Sequence, residues 1–458
     1  MVARCPATYR PEREYVIDVV LSCFLGLEHR VEWTGAGEVE LRVDGDPRRQ
    51  RLVVPDVLLK TAPGDWLTER TAPKLPLATR DAAREVPEAG SPARVPVLFG
   101  AGGSLGPLVE EITGGLRLTL DVFGSVFHML TRYEEVISRA RDEHDRFPLQ
   151  AAIAHQGGFV DRALVNEYVD ILEALMARLW PCLPRAPRRA RVLLTHDVDV
   201  PYSVRHRSAR QNARMIAGDI AKRGDPGLAA RRLRACLRRG QDPAFTFDFI
   251  MRVGDRYGLR SSFYFLAEPG GRMPANYSLH EPWARSLLRA IADRGHQLGL
   301  HASYDASVSP GATRREFETL LSVADSLGIA QDEWGGRQHW LRWENPTTWR
   351  NWEHAGLNYD ATVGFEEQPG FRCGTCHPFP IFDLRARRRL RLVERPLHFM
   401  ESTCFDRGVS ASVAVARALA VYETCKRHGG EFVMLWHNDA LASRHRRAAY
   451  VDLLRQIS

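Results

Sequence analysis

The sequence predicts an α/β protein, with alternating strands and helices over the C-terminal half, preceded by a smaller α+β domain. Two observations predict it. Beyond about residue 240, short apolar segments that read as strands alternate with helical ones, as in an α/β barrel. Before residue 182 the pattern differs: a helix is mixed with alternating segments such as Glu38-Val39-Glu40-Leu41-Arg42-Val43, and the chain then turns helical over residues 101–182. A length of 458 residues exceeds one ordinary domain, and 44% hydrophobic with 26% charged residues is a globular balance, so two or three units with sizeable cores are expected.

Taken in order, Asp121 to Glu135 has apolar helical spacing, and Arg132, Glu134 and Glu135 read as a solvated face or structural ion pair rather than a second acidic site. A helix from Tyr168 to Trp180 stops at Pro181, and Cys182-Leu183-Pro184-Arg185-Ala186-Pro187-Arg188-Arg189 is a Pro/Arg-rich connector. Domains are therefore expected at 1–182 and 191–458, joined by a connector at 183–190. Residues 205 to 240 read as an arginine-rich helical insertion, a lid or docking element.

The start of the chain lacks a basic segment followed by an uninterrupted apolar run, and Asp18 breaks the apolar stretch at 15–21. No stretch of about 18 apolar residues is present. With eight cysteines scattered along the chain, a reducing, cytoplasmic location is expected. Cys373-Gly374-Thr375-Cys376-His377 has the haem-attachment pattern, but that attachment takes place outside the cytoplasm; a Gly/Pro-punctuated loop is expected there, and no haem. The formal net charge of +7 comes largely from clusters at Arg185 to Arg191, Lys222 to Arg239 and Arg385 to Arg391. No nucleic-acid module accompanies them, so solvated faces are expected rather than a nucleic-acid partner. The second reading is peripheral attraction to an anionic membrane surface or a diphosphate-linked substrate. The sequence carries no signature of a particular oligomeric state.

Four segments carry chemistry. Thr195-His196-Asp197-Val198-Asp199 follows the apolar Arg191-Val192-Leu193-Leu194, and carboxylates two apart on a strand share a face. One can bind a metal while the other takes a proton from water. Gly295-His296-Gln297-Leu298-Gly299-Leu300-His301 leads an apolar strand to a histidine, a potential zinc ligand. Gly336-Arg337-Gln338-His339-Trp340 and Val433-Met434-Leu435-Trp436-His437 complete the set.

In this order the segments resemble those of the polysaccharide deacetylase family, metal-dependent carbohydrate esterases with a variant (β/α) barrel. The match runs over roughly residues 190 to 445 and includes Ser262-Phe263-Tyr264-Phe265-Leu266, similar to the family's Ala-Thr-Phe-Phe strand. The 121–135 region is similar to the accessory region of one bacterial subgroup. The resemblance implies Asp197 as catalytic base, Asp199 and His301 as metal ligands, Arg337 as the group orienting the base, and His437 as general acid. It implies Trp340 as an aromatic wall, with Tyr304 and Trp436 as further substrate contacts. One departure stands out: the family's second histidine, four residues after His301, is here Asp305. Asp305 is expected as third ligand by position, with His339 as the alternative by chemistry.

The expected cofactor is a divalent metal, foremost Zn2+, with Co2+, Ni2+ or Fe2+ as alternatives. The expected reaction is removal of an N-acetyl group from an amino-sugar-containing small molecule or a lipid- or nucleotide-linked glycan of surface-polysaccharide biosynthesis. Alternatives are another amide or imide hydrolase on the same barrel, or a catalytically silent carbohydrate-binding or scaffold protein.

Overall fold

The computed structural model describes the whole chain except residues 93, 102–105, 185–187, 206, 238–241, 269–270 and 274. Residues 185–187 of the predicted connector, and 206 and 238–240 of the predicted insertion, lie outside the described residues. The chain divides into two compact units. One holds Met1–Arg189, Gly370–Pro396 and His428–Gly430; the other holds Ala190–Pro369, Leu397–Arg427 and Glu431–Ser458. The change of unit at Arg189 falls within the expected connector, but residues 370–396 and 428–430 belong to the first unit although they lie within 191–458, the segment read as the second domain. Sequence pattern could not show this, because the assignment rests on contacts between residues hundreds of positions apart.

In the first unit, mixed pairing gives a sheet ordered Arg30–Thr34, Val2–Pro6, Val39–Arg42, Arg51–Val54, Gly115–Leu118, Val109–Ile112. Helices Val122–Leu130 and Leu164–Leu179 bury apolar faces there. Arg132, expected on a solvated face or in an ion pair, is fully buried: Nε donates to Glu135 Oε1 at 2.9 Å, and Arg372 reaches the same carboxylate at 2.7 Å. This is a structural ion network, closed to solvent. Cys373 and Cys376 are buried free thiols, and burial pushes the Cys373 thiol up, away from the reactive thiolate.

The second unit is built on parallel strands β1 (Arg191–Val198), β2 (Ser261–Phe265), β3 (Gln297–Ala302), β4 (Gly335–Gln338), β5 (Tyr359–Asp360), β6 (Phe399–Met400) and β7 (Glu431–Leu435). Their spatial order is β5-β4-β3-β2-β1-β7-β6, a sheet curled as a half barrel. β2 is buried at every residue, as expected of a parallel strand covered on both faces. Helices α1 (Ala209–Ala221) and α2 (Pro226–Leu237) lie between β1 and β2, within the stretch 205–240. The main crossover helices include α3 (Phe247–Arg256), α4 (Pro282–Asp293), α5 (Pro310–Ser326) and α6 (Thr347–Ala355). A Cβ at Gly336 would overlap the Leu300 carbonyl oxygen, so only glycine lets β4 lie this close to β3 just ahead of Arg337. No helix among the described residues is long and apolar enough to cross a membrane.

Candidate active site

Parallel strands share a direction, so residues at their C-terminal ends gather at one edge of the sheet. Asp197 lies near the end of β1 and Asp199 just beyond it; His301 is on β3, Arg337 on β4 and His339 one residue after β4. Register places His301 beside Arg337, and His437 follows two residues after β7. Each side chain comes from its own short segment, yet the sheet brings them together.

Asp199, His301 and His339 each offer a ligand atom, and these atoms lie within 4.8 Å of one another. The hydrogen bonding of His301 explains why such a group suits a cation. Its Nδ1 lies 3.0 Å from the Arg337 carbonyl oxygen, which can only accept, so Nδ1 carries a proton. In the neutral ring Nε2 is then a lone pair, and it stands 3.0 Å from Asp199 Oδ1. Both atoms are buried without a hydrogen-bond partner, as is His339 Nδ1. Two facing acceptors repel unless a proton or a cation lies between them, and two imidazoles with one carboxylate make a familiar donor set for a divalent metal.

The electrostatics separate the two imidazoles. Burial opposes charge on Asp199, but His301, His339 and His437 outweigh it and hold the carboxyl well below its usual range. Burial pushes His339 down to about 4, leaving it neutral, as a metal ligand must be. His301 moves up: burial works against its charge, and Asp197 and Asp199 prevail.

Arg337 Nη1 donates to Asp197 Oδ1 at 2.8 Å and to Thr195 Oγ1 at 2.9 Å, while Nε donates to the Ala361 carbonyl oxygen at 2.8 Å. One carboxylate oxygen of Asp197 is thereby committed, and Oδ2 stays 3.8 Å from the His301 ring. On the other flank, His437 Nδ1 donates to Glu401 Oε1 at 2.8 Å, and Nε2 is 3.7 Å from Asp199 Oδ2. Burial disfavours the imidazolium, yet Glu401, together with Asp199 and Asp197, keeps the His437 pKa well above the ordinary histidine value. Asp439 beside them is pushed up to about 6 by burial, with His437 opposing and Asp199 and Glu401 assisting the rise.

Three expected positions fall elsewhere. Asp305 is not in the ligand group. β3 ends at Ala302, the chain turns into a short 3-10 helix over Tyr304–Val308, and Asp305 accepts from Arg272 through Nε at 2.9 Å and the backbone N–H at 3.0 Å. Its side chain is 40% exposed, whereas His339 already stands beside Asp199. Tyr304 is buried between the guanidinium groups of Arg272 and Arg342, 4.7 and 4.8 Å from its ring, rather than open to substrate. Trp436 is core: 1% exposed, its ring packs on Tyr450, Phe405 and Phe399. Its neighbour His437 faces the site because side chains alternate, which turns Trp436 inward. Trp436→Ala is expected to cost ~3–5 kcal/mol in denaturant unfolding, as for other core tryptophans; unchanged stability would contradict the core assignment. Trp340, by contrast, is 42% exposed, with its ring 6.3 Å from that of His339. Its φ of 63° is in the left-handed region, a conformation a bulky residue adopts only under constraint from its surroundings.

Glu401 escaped the sequence reading. It directly follows the two-residue β6, and the signal was available: Leu397-His398-Phe399-Met400-Glu401 is an apolar run ending in a carboxylate, much as Leu298 to His301 ends in an imidazole. Asp360, at the end of β5, was also missed; burial raises it to about 7, against hydrogen bonds from Thr362 and the charge of Arg337.

Residues 1–181 match the model of a family of unknown function, DUF7033. No curated protein matches the chain. Among solved structures, similarity is found to a putative polysaccharide deacetylase from Mycobacterium smegmatis, at 17% identity over 60% of this chain and 88% of that one, with a TM-score of 0.40. A probable polysaccharide deacetylase from Pseudomonas aeruginosa PAO1 is 13% identical over 59% and 88%, with a TM-score of 0.34. The Puue allantoinase is 10% identical over 59% and 87%, with a TM-score of 0.37.

Proposed function

We propose that this protein is a metal-dependent hydrolase that removes an N-acyl group, foremost N-acetyl, from an amino sugar. One observation carries the reading. A carboxylate fixed by arginine (Asp197 with Arg337) and an imidazole backed by a carboxylate (His437 with Glu401) both lie against the Asp199–His301–His339 group. Hydrolysis of an amide needs a base for water, an acid for the leaving amine and positive charge at the carbonyl oxygen.

Asp199, His301 and His339 would hold a divalent cation, with zinc best suited to two imidazoles and a carboxylate. When bound, such an ion supplies Lewis acidity and lowers the pKa of water. Arg337 holds Asp197 in place through Oδ1, which leaves Oδ2 to take the proton of the attacking water. His437, protonated through its contact with Glu401, delivers a proton from Nε2 to the departing nitrogen. Trp340 offers an exposed ring on which a sugar face can stack. The silent-scaffold alternative drew on Asp305 standing where a histidine was expected; the closeness of His339 to Asp199 and His301 weighs against it. The substrate class follows the motif resemblance: a lipid- or nucleotide-linked precursor in surface-polysaccharide synthesis.

The test is a substrate panel on metal-loaded protein, N-acetyl amino sugars and their nucleotide- and lipid-linked forms against cyclic ureides, with release of acetate or ring opening as readout. Acetate release from a sugar is expected; ring opening alone would replace the deacetylase reading with another C–N hydrolase. Asp197→Asn is expected to abolish turnover while retaining metal, whereas Asp199→Ala loses both; equal metal loss in the two would overturn the assignment of base and ligand.

A further inference from the structure

The α1–α2 hairpin follows shortly after Asp199, and none of the chemistry above uses it. It is unusual in two ways. Between residues 205 and 239 lie Arg205, Arg207, Arg210, Arg214, Lys222, Arg223, Arg231, Arg232, Arg234, Arg238 and Arg239, against only Asp219 and Asp225. Asp219 is buried and consumed internally, paired with Arg223 at 2.9 Å and Arg232 at 2.7 Å. The outer surface therefore carries unopposed positive charge at Arg210, Arg214, Lys222 and Arg234, all exposed.

The same hairpin exposes large apolar side chains: Leu237 is 78% exposed, Ile220 57% and Leu233 53%, the three highest values among the large hydrophobic residues described. Their spacing is helical. Ala230, Leu233 and Leu237 lie on one face of α2, and Ala213, Ala217 and Ile220 on one face of α1, each at intervals of three or four and flanked by arginine. Ala213, Ile216 and Leu233 line a common groove, with Arg205 and Arg207 also along it. A helical hairpin made for water would carry polar residues at these positions, and one made for nucleic acid would not need leucine at its most exposed ones.

We propose that the α1–α2 hairpin docks this protein on an anionic phospholipid surface, with Leu233, Leu237 and Ile220 entering the headgroup boundary and the flanking arginines and Lys222 meeting lipid phosphates. Apolar residues at helical spacing bordered by arginine and lysine are the makeup of interfacial helices, in which apolar burial and attraction to anionic lipid act together. The proposal is independent of the reaction assigned to the neighbouring site.

The experiment is co-sedimentation of the full-length protein with vesicles of pure phosphatidylcholine and of phosphatidylcholine mixed with phosphatidylglycerol. Binding to the anionic vesicles, weakened by salt and absent from the neutral ones, is expected. Leu233→Glu with Leu237→Glu should lower the partition coefficient about tenfold or more, and Arg210→Glu with Arg214→Glu by a similar factor. Both pairs are exposed, and unchanged circular dichroism and metal content confirm that they fold. Failure of wild type to sediment with anionic vesicles overturns the proposal, as does undiminished binding by the leucine variant. Duplex DNA added as competitor separates the remaining case: tight DNA binding that survives the leucine substitutions would make the hairpin a polyanion site instead.

Discussion

Alanine at His339 is expected to strip the protein of its bound metal, whereas alanine at Asp305 leaves the metal in place. Three protein ligands are the usual complement of a catalytic zinc, and Asp199, His301 and His339 are the three whose ligand atoms converge. His339→Ala leaves one imidazole and one carboxylate, too few to retain the ion through dialysis. Asp305 stands apart, its carboxylate occupied by Arg272. Metal per chain after zinc loading and dialysis gives the first readout. Thermal unfolding gives a second: an ion bound at a hundred times its dissociation constant stabilises the folded state by ~2.7 kcal/mol, so wild type and Asp305→Ala should show a zinc-dependent rise in Tm that His339→Ala lacks. Metal lost from Asp305→Ala but kept in His339→Ala would restore the ligand set expected from motif spacing.

That reversal of order shows what a linear sequence can and cannot reveal. Three of the four chemical segments, those leading to Asp197, His301 and His437, stood out as apolar runs ending in a polar residue, and a parallel sheet gathers such ends; the Gly335–Gln338 strand has no apolar side chain, and Arg337 was singled out by motif resemblance alone. The choice between Asp305 and His339 was not legible. It turns on whether the chain continues extended past Ala302, and the 3-10 helix beginning at Tyr304 carries Asp305 toward Arg272 instead. Trp436 and Tyr304 show the same limit: proximity in sequence to His437 or His301 does not say whether an aromatic ring is buried in the core, as at Trp436, or enclosed by arginines, as at Tyr304. The helical spacing read over 121–135 meets two helices, Val122–Leu130 and Tyr133–Ile137, and the helix read from Tyr168 to Trp180 spans Leu164–Leu179, but the membership of residues 370–396 in the first unit rests on long-range contacts that no local pattern encodes. Glu401 was passed over because its signal, the short run from Leu397, is weak: β6 spans only Phe399–Met400, too little to register as a strand by alternation.

The second large effect is expected at His437 and Glu401. His437→Ala should lower kcat by roughly a hundredfold or more, the range of general acid catalysis, without loss of metal, since His437 is not among the three converging ligands. Glu401→Gln is the more informative change. Glutamine still accepts the Nδ1–H through its amide oxygen, so the ring keeps its orientation and its tautomer, but the negative charge 2.8 Å from Nδ1 is gone. That charge is the chief influence raising the His437 pKa against burial. A general acid works while protonated, so activity is present below its pKa and is lost as pH rises through it. Removing the charge lowers that pKa, and the alkaline limb of the kcat profile should therefore move to lower pH in Glu401→Gln and disappear in His437→Ala. The double variant should be no slower than His437→Ala alone, because Glu401 acts through the histidine. An alkaline limb unmoved by Glu401→Gln would show that the proton reaches the leaving group from elsewhere, with Asp439, raised to about 6 in the same cluster, as the next residue to replace.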